Sequence, residues 1–288
     1  MPPDQDEKLN DLPLLYIPAY PPPALAPPDK GDTGLRPVAP VVPVWASAGL
    51  QALTAFQPGS DLTVQVTVGN WQGGNSDSSA DVAVWWSPPV SGKPVLDPKK
   101  FLGFSSIPVS PHGGRATTPP MTGTIPSDSG PHICLFALVC NALDMPETAL
   151  VDPVNDRHWA QHNLIVVAGP APQPIGFFAT NASGAPARFD LHVRSVGQEM
   201  LPGLAETQQA EPVQQLGQFR LQDRDTGGEA VGERSVVHPV TLEAGEQREM
   251  QLSITLPDPP PQGAFTAFEV LQLQDDTLVG GLGIVVRG

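Results

Sequence analysis

HICLFALVC (His132–Cys140), a proline-broken polar loop (Asn141–Arg157) and HWAQHNLIVV (His158–Val167) form the stretch on which the fold turns. The first run is too short for most helices and almost free of polar residues, the pattern of a strand buried on both faces. A second apolar run follows the loop and ends at Gly169-Pro170, where a domain can close. Two buried neighbouring strands joined by a long loop mark a β-sandwich. The two cysteines, Cys134 and Cys140, then lie about 20 Å apart along one strand, beyond the roughly 7 Å that a disulfide spans. Both fall on the same face, where free cysteines behave as small hydrophobes.

Working outward, the strand at Leu62–Val68 alternates Leu62, Val64, Val66 and Val68 with Thr63, Gln65 and Thr67, a half-buried strand of period two. A turn rich in Gly, Asn and Ser (70–79) leads to Val82–Trp86, where Trp85 and Trp86 point to opposite faces. One indole should fill the core, and the other is exposed or covered by a neighbour. Residues 101–109 and 115–125 give two weaker strands, the second broken by Pro119-Pro120 and so placed at an edge. Together these make a first sandwich over residues 45–169. Residues 170–288 read as a second one. It has strands at 186–196 and near 216–221 inside a long polar insertion (197–233). It ends in a meander of three strands, MQLSITL, AFTAFEVLQL and LVGGLGIVV. Helical periodicity is nowhere convincing.

Residues 1–44 hold twelve prolines. Such a segment builds no core of its own and favours an extended form reaching on the order of 100 Å. Within it Leu14, Leu15, Tyr16, Ile17 and Tyr20 cluster, and these are both tyrosines of the chain. A solvated linker has no need of them. They pack on the chain's own sandwich, dock on a neighbouring chain, or serve as a peptide for some other domain's groove.

Proline makes up 36 of 288 residues, against a usual share of about 5%, which favours loops and edges over helices. The net charge of −15 opposes binding to nucleic acid or anionic lipid, which need basic surfaces. The acidic start MPPDQDEKLN lacks a secretory pattern. No run reaches the roughly 18 apolar residues of a membrane span. The expectation is synthesis in the cytoplasm without a signal peptide.

At this point the first sandwich resembles the cell-adhesion-related immunoglobulin-like domains of bacterial surface and secreted proteins. The pieces are Leu62–Asn70, Val82–Trp86, Gly130–Leu135 (with Pro131 inserted) and Ala160–Leu164. The second is similar to companion domains with a glycine turn before an alternating strand (Ala244-Gly245-Glu246) and a closing Val279–Gly281 strand. The resemblance covers about 240 residues, rests on structural motifs, and implies tandem sandwiches that serve as non-enzymatic spacers, adhesion modules or appendages.

Chemical motifs are few. His158 and His162 have the spacing of a helical zinc pair, but Trp159 stands where that motif needs glutamate, and on a strand the two would be about 13 Å apart. They read as surface or loop histidines. Asp223, Asp225 and Glu229 echo a calcium loop without its full ligand set and read as a solvated acidic turn. Asp152, Asn155 and Asp156 read as capping residues. The sequon Asn181-Ala182-Ser183 has no meaning outside a secretory pathway. No nucleophile elbow, phosphate loop or dinucleotide fingerprint occurs, so no catalytic residue, metal or cofactor is implied.

The expectation is therefore an all-β chain of two tandem immunoglobulin-like antiparallel β-sandwiches with an extended proline-rich arm, without enzymatic activity. Its leading role is an accessory or decorating subunit of a virion, phage-like particle or appendage, held to protein subunits or to itself through Leu14, Leu15, Tyr16, Ile17 and Tyr20. The alternative is a stand-alone carbohydrate- or protein-recognition module that uses Trp85 or Trp86, with a surface glycan as partner. Nucleic acid and membrane insertion are not expected, and the final location would be the surface of a particle or appendage.

Overall fold

A computed structural model describes residues 11–19, 32–38, 43–164, 166–168 and 174–288. The alternating run becomes β3 (Asp61–Asn70), whose even-numbered apolar residues are buried. Antiparallel partners line both of its edges. β1 (Leu15–Tyr16) and β2 (Leu50–Ala52) lie end to end along one; β6 (Gly114–Thr117) and β7 (Met121–Thr124) share the other, parted by the proline pair. The facing sheet runs β5 (Phe101–Val109), β4 (Ser78–Ser87), β8 (Ile133–Cys140) and β9 (Trp159–Leu164), all antiparallel.

β8 is the decisive strand of the sequence, and both of its faces are covered. Ile133, Leu135, Ala137 and Val139 enter the core between the two sheets, with Leu62, Val64, Val66, Val68, Val82, Val84 and Trp86. Cys134 and Phe136 face the other way, into a second core that runs on through Val90, Val151 and Trp159 to Ile175, Phe177, Phe268 and Ile284. An apolar side chain of this size gains about 1.5–3 kcal/mol on full burial, and β8 collects that gain on both sides.

The second core belongs to another pair of sheets. One is ordered β11 (Ile175–Thr180), β17 (Gln247–Thr255), β14 (Gln218–Asp223) and β15 (Glu229–Glu233). The other is ordered β10 (Val166–Ala168), β19 (Thr277–Arg287), β18 (Ala264–Gln274), β12 (Ala187–Ser195) and β16 (Ser235–Leu242), with β13 (Glu211–Pro212) alongside β18. The expected meander is corrected here. β17 lies in the first of these sheets and only β18 and β19 form a hairpin, because the proline-rich segment 257–262 carries the chain across to the opposite layer instead of turning it back. The insertion also holds a helix, α1 (Leu201–Gln208), and the hairpin β14–β15. α1 buries Leu201 and Leu204 beside Trp45. Its apolar positions are too few for helical periodicity to show.

Contacts tie the two pairs of sheets together. Val90 bridges Phe178 on the edge of β11, with Ser91 N–H donating to Phe178 O and Phe178 N–H to Pro89 O. Gln272, fully buried, accepts from Ser91 Oγ at 2.9 Å and donates to Thr180 O at 2.8 Å. Trp45 lies against β19 and donates from Nε1 to the buried Glu269 carboxylate at 3.2 Å. The glycines of the closing strand make room for it: a Cβ on Gly283 would stand 2.1 Å from the Trp45 ring.

Replacing Gly283 by alanine should therefore lower the urea midpoint, by about 1–3 kcal/mol of overpacking strain. Gly176→Ala, where the new methyl meets nothing within 4 Å, should stay within about 0.5 kcal/mol of the parent. Equal effects at the two glycines would remove the notch explanation.

Candidate binding surface

The segment expected to serve as a partner-binding arm is built into the chain's own fold where it is described. Leu15, Tyr16 and Ile17 are buried and Leu14 is half-buried; Tyr20 lies outside the described residues. Leu15 and Tyr16 pair with Asn70 and Gly69 of β3. Tyr16 rests where a Gly69 side chain would be, 2.3 Å from an added Cβ. Further on, buried Asp32 accepts from Ala19 N at 2.6 Å and from Arg36, and Val38 N–H donates to Val154 O. Of the three placements that the sequence left open, packing on the chain's own sandwich is the one adopted by Leu15, Tyr16 and Ile17, and it has a simple cause. The open edge of β3 and the Gly69 notch offer these apolar residues burial and ladder hydrogen bonds at home.

The two tryptophans divide as their alternation requires. Trp86 fills the first core, with the Lys100 ammonium 5.3 Å from its ring centroid. Trp85 is half-buried on the outer face of the β5–β4–β8–β9 sheet, 5.5 Å from Phe101 in an edge contact and 6.2 Å from Trp159. Covering by the chain's own residues is thus partial. Beside it on β5, which among the described residues pairs with β4 alone, Phe101 is 45% and Phe104 58% exposed. Register places Phe101 opposite Trp85 and Phe104 opposite Ala83. A short 3-10 turn, Pro98–Lys100, capped by Asp97, sets Lys99 and Lys100 next to this aromatic edge. The sequence signal for Phe101 and Phe104 was present but read only as a weak strand.

The same outer face turns polar toward the other end of β4. Asp81 lies opposite Ser106, and Ser106 Oγ donates to Asp81 Oδ1 at 2.7 Å and sits 3.1 Å from Ser79 Oγ. Ser79 and Asp81 also line an open cleft of about 570 Å³, shared with Asp11, Asn75, Asp77, Asn141 and Leu143. Aromatic side chains, hydroxyls and a carboxylate thus follow one another along a single strand pair.

The titratable groups singled out in the sequence are elsewhere. His158 is not at the surface: it is 1% exposed, and both ring nitrogens face carboxylates, Nδ1 to Asp156 at 2.6 Å and Nε2 to Asp144 at 3.1 Å. Burial opposes its charge, but those two hydrogen bonds prevail and raise its pKa. With both nitrogens engaged it has no lone pair for a general base to use. His162 points to Ser47 O instead, so the two histidines do not converge. Among the described residues no group of three or more His, Cys, Asp or Glu side chains is arranged around a metal position.

Asp223 is buried, not solvated. Its Oδ1 accepts from Asp225 N and Thr226 N and so closes the β14–β15 turn, while Arg248 faces Oδ2. Asp152 caps its loop through Asn155 and pairs with Lys93. Asn181 is buried, and its amide donates to Ala185 O, Leu242 O and Glu243 O. Cys134 and Cys140 are both free, and burial pushes the Cys134 thiol up to about 12.

No protein-family model matches the chain, and no curated protein matches it in sequence. Solved structures do align with it. The N-terminal domain of PorA is 16% identical over 43% of this chain and 84% of its own, with a TM-score of 0.27. The CupB6 tip adhesin from Pseudomonas aeruginosa is 11% identical over 82% of this chain and 94% of its own, TM-score 0.23. The collagen adhesin from S. aureus is 9% identical over 82% and 90%, TM-score 0.23. Two of the three are adhesins by name. Superpositions this loose carry no functional argument, and the sandwich architecture rests on the strand pairing above. No helix among the described residues is long and apolar enough to cross a membrane.

Two measurements check the division of roles. Trp86→Ala should cost about 3–5 kcal/mol in urea unfolding, whereas Phe104→Ala should remain within about 0.5 kcal/mol. At neutral pH a thiol reagent should modify half-buried Cys140 well before Cys134; equal rates would mean that the outer face of β8 is open.

Proposed function

We propose that this chain is a non-catalytic recognition module of the adhesion type, in which a two-sandwich body (45–169 and 170–288) presents the β4–β5 face to a ligand. The observation that carries this reading is the aromatic edge. Phe101 and Phe104 stay exposed beside Trp85 although two large cores lie close by. Aromatic side chains at the surface supply rigid contact area and are common anchors of binding surfaces. The polar row Ser79, Asp81 and Ser106 on the same face offers hydrogen-bonding partners at the rim. A surface glycan or a protein surface has the required mixture of apolar and polar groups. Display on a cell, particle or appendage suits such a module.

The accessory-subunit reading rested on the apolar cluster of the arm. Burial of Leu15, Tyr16 and Ile17 within the chain's own first sandwich withdraws that support. What then favours the recognition reading is the pair of exposed aromatic rings on β5, since the described part of the arm exposes Leu12 and Leu35 but no aromatic side chain.

The test is a binding panel of immobilised glycans and extracellular-matrix proteins, run with the parent chain and with the Phe101→Ala/Phe104→Ala double variant. The expected result is a ligand bound by the parent and at least about tenfold more weakly by the double variant, with unfolding unchanged within about 0.5 kcal/mol. A ligand bound equally well by both proteins would overturn the assignment to this face.

A further inference from the structure

The buried charge cluster in the long loop between β8 and β9 touches the N-terminal strand directly. Asp144 is 7% exposed and uses both oxygens. Oδ2 accepts the backbone N–H of Leu15 at 2.6 Å, while Oδ1 meets the Arg157 guanidinium and, at 3.1 Å, His158 Nε2. Two residues on, just past the end of β1, Ile17 N–H donates to the Arg157 carbonyl at 3.1 Å. The far side of the imidazole closes on Asp156. Two backbone donors of the N-terminal strand are therefore held by the loop whose shape depends on His158.

The geometry itself selects the protonation state. Both ring nitrogens face carboxylate oxygens, and only the imidazolium has two donors. In that form two carboxylates, Asp144 and Asp156, are balanced by Arg157 and His158. A neutral ring would turn a lone pair toward a carboxylate inside the protein and leave a net negative buried cluster, which is strongly disfavoured. We propose that His158 is a proton-operated latch: charged, it holds β1 on the edge of β3; neutral, it lets residues 11–19 come away.

The sign follows from the groups involved. The folded pKa of His158 is raised, so its contribution is complete below the unfolded value of about 6.5 and is lost as pH rises through the folded value. Asp156 is opposed by burial but held below the ordinary carboxylate range by His158. Its contribution is complete above the unfolded value and is lost as pH falls through the folded one. The latch is tightest in mild acid and opens toward alkali. Other charges near these residues are few. The Cys140 thiol is raised by burial and then by Asp81 and Asp144. On the far side of β1 the Tyr16 phenol is raised by burial against the pull of Arg115, with Asp32 and Arg36 beyond. The thiol and the phenol, both raised, titrate above the histidine range.

The experiment is hydrogen–deuterium exchange of the full chain from about pH 5 to about pH 9, spanning the histidine range, with rates normalised for intrinsic base catalysis and the ring titration of His158 followed by NMR. Protection of the peptide covering residues 11–19 should fall about tenfold across the His158 titration, while β4 and β8 stay protected. His158→Gln should be open and flat across the range. Asp156→Asn, which keeps the cluster's shape but removes one carboxylate, should move the midpoint to lower pH, and this arm decides the matter if the glutamine variant does not fold. Normalised protection that is flat in the parent, or a midpoint unmoved in Asp156→Asn, would overturn the latch.

Discussion

A strand with no solvent side sets the terms for the rest of this molecule. β8 is apolar at nearly every position, so a single sandwich would leave Cys134 and Phe136 in water. A second packed layer on its outer face is the remedy. Trp159, Val151 and the residues around Val90 fill the gap up to the core of the other sheet pair. The outer face of the sheet is covered only from β8 toward β9. On the β5 side the cover ends, and there Phe101 and Phe104 remain exposed. The boundary of the inter-sandwich contact and the aromatic edge proposed for binding are thus two sides of one packing limit.

Close approach at this junction depends on missing side chains. Gly283 admits Trp45, while Gly92 and Gly280 let backbone meet backbone, an added Cβ on Gly280 standing 2.5 Å from Ser91 O; Gly69 admits the Tyr16 ring in the same way within the first sandwich. Most polar groups inside the junction are matched, as burial favours, with Trp159 Nε1 an exception. Gln272 bonds to both Ser91 and Thr180, and Glu269 accepts from Trp45 and from Arg194 at 2.9 Å. Such a joint resists bending because sliding it would uncover these groups without water to replace their partners.

Much of the architecture was legible in sequence because alternation survives wherever one face is wet. β3, β4, β12 and β17 each follow from their period, and the double burial of β8 follows from its lack of one. Legibility failed where the determinants are remote. β16 carries Pro239 and was passed over, yet it is an edge strand, where a missing N–H is tolerated. The assignment of β17 to a different layer from β18 depends on packing across the sandwich and has no local pattern. The cluster of Asp144, Asp156, Arg157 and His158 is charged, and charge usually means surface. The available hint was a 17-residue loop, Asn141–Arg157, longer than a simple connection needs, carrying five charged residues (Asp144, Glu147, Asp152, Asp156 and Arg157) in a chain of which only 16% is charged. The chain's own claim on the arm was one of the alternatives its apolar cluster left open, and the edge of β3 that receives Leu15 and Tyr16 exists only in three dimensions.

The placement of Trp45 bears on how the chain is made. This residue finds its hydrogen-bond partner 224 positions later, and Gln161 bonds to the carbonyl of Gly281, 120 positions away. On a ribosome adding about 5–20 residues per second, the first half waits on the order of ten seconds for strands β18 and β19 to emerge. Throughout that interval the outer face of β8 and the Trp45 indole lack their covers, which makes the nascent first half sticky. Loss of only the last hairpin would accordingly harm residues at the opposite end of the chain, because closure of the earliest-made part is deferred until the last-made part arrives.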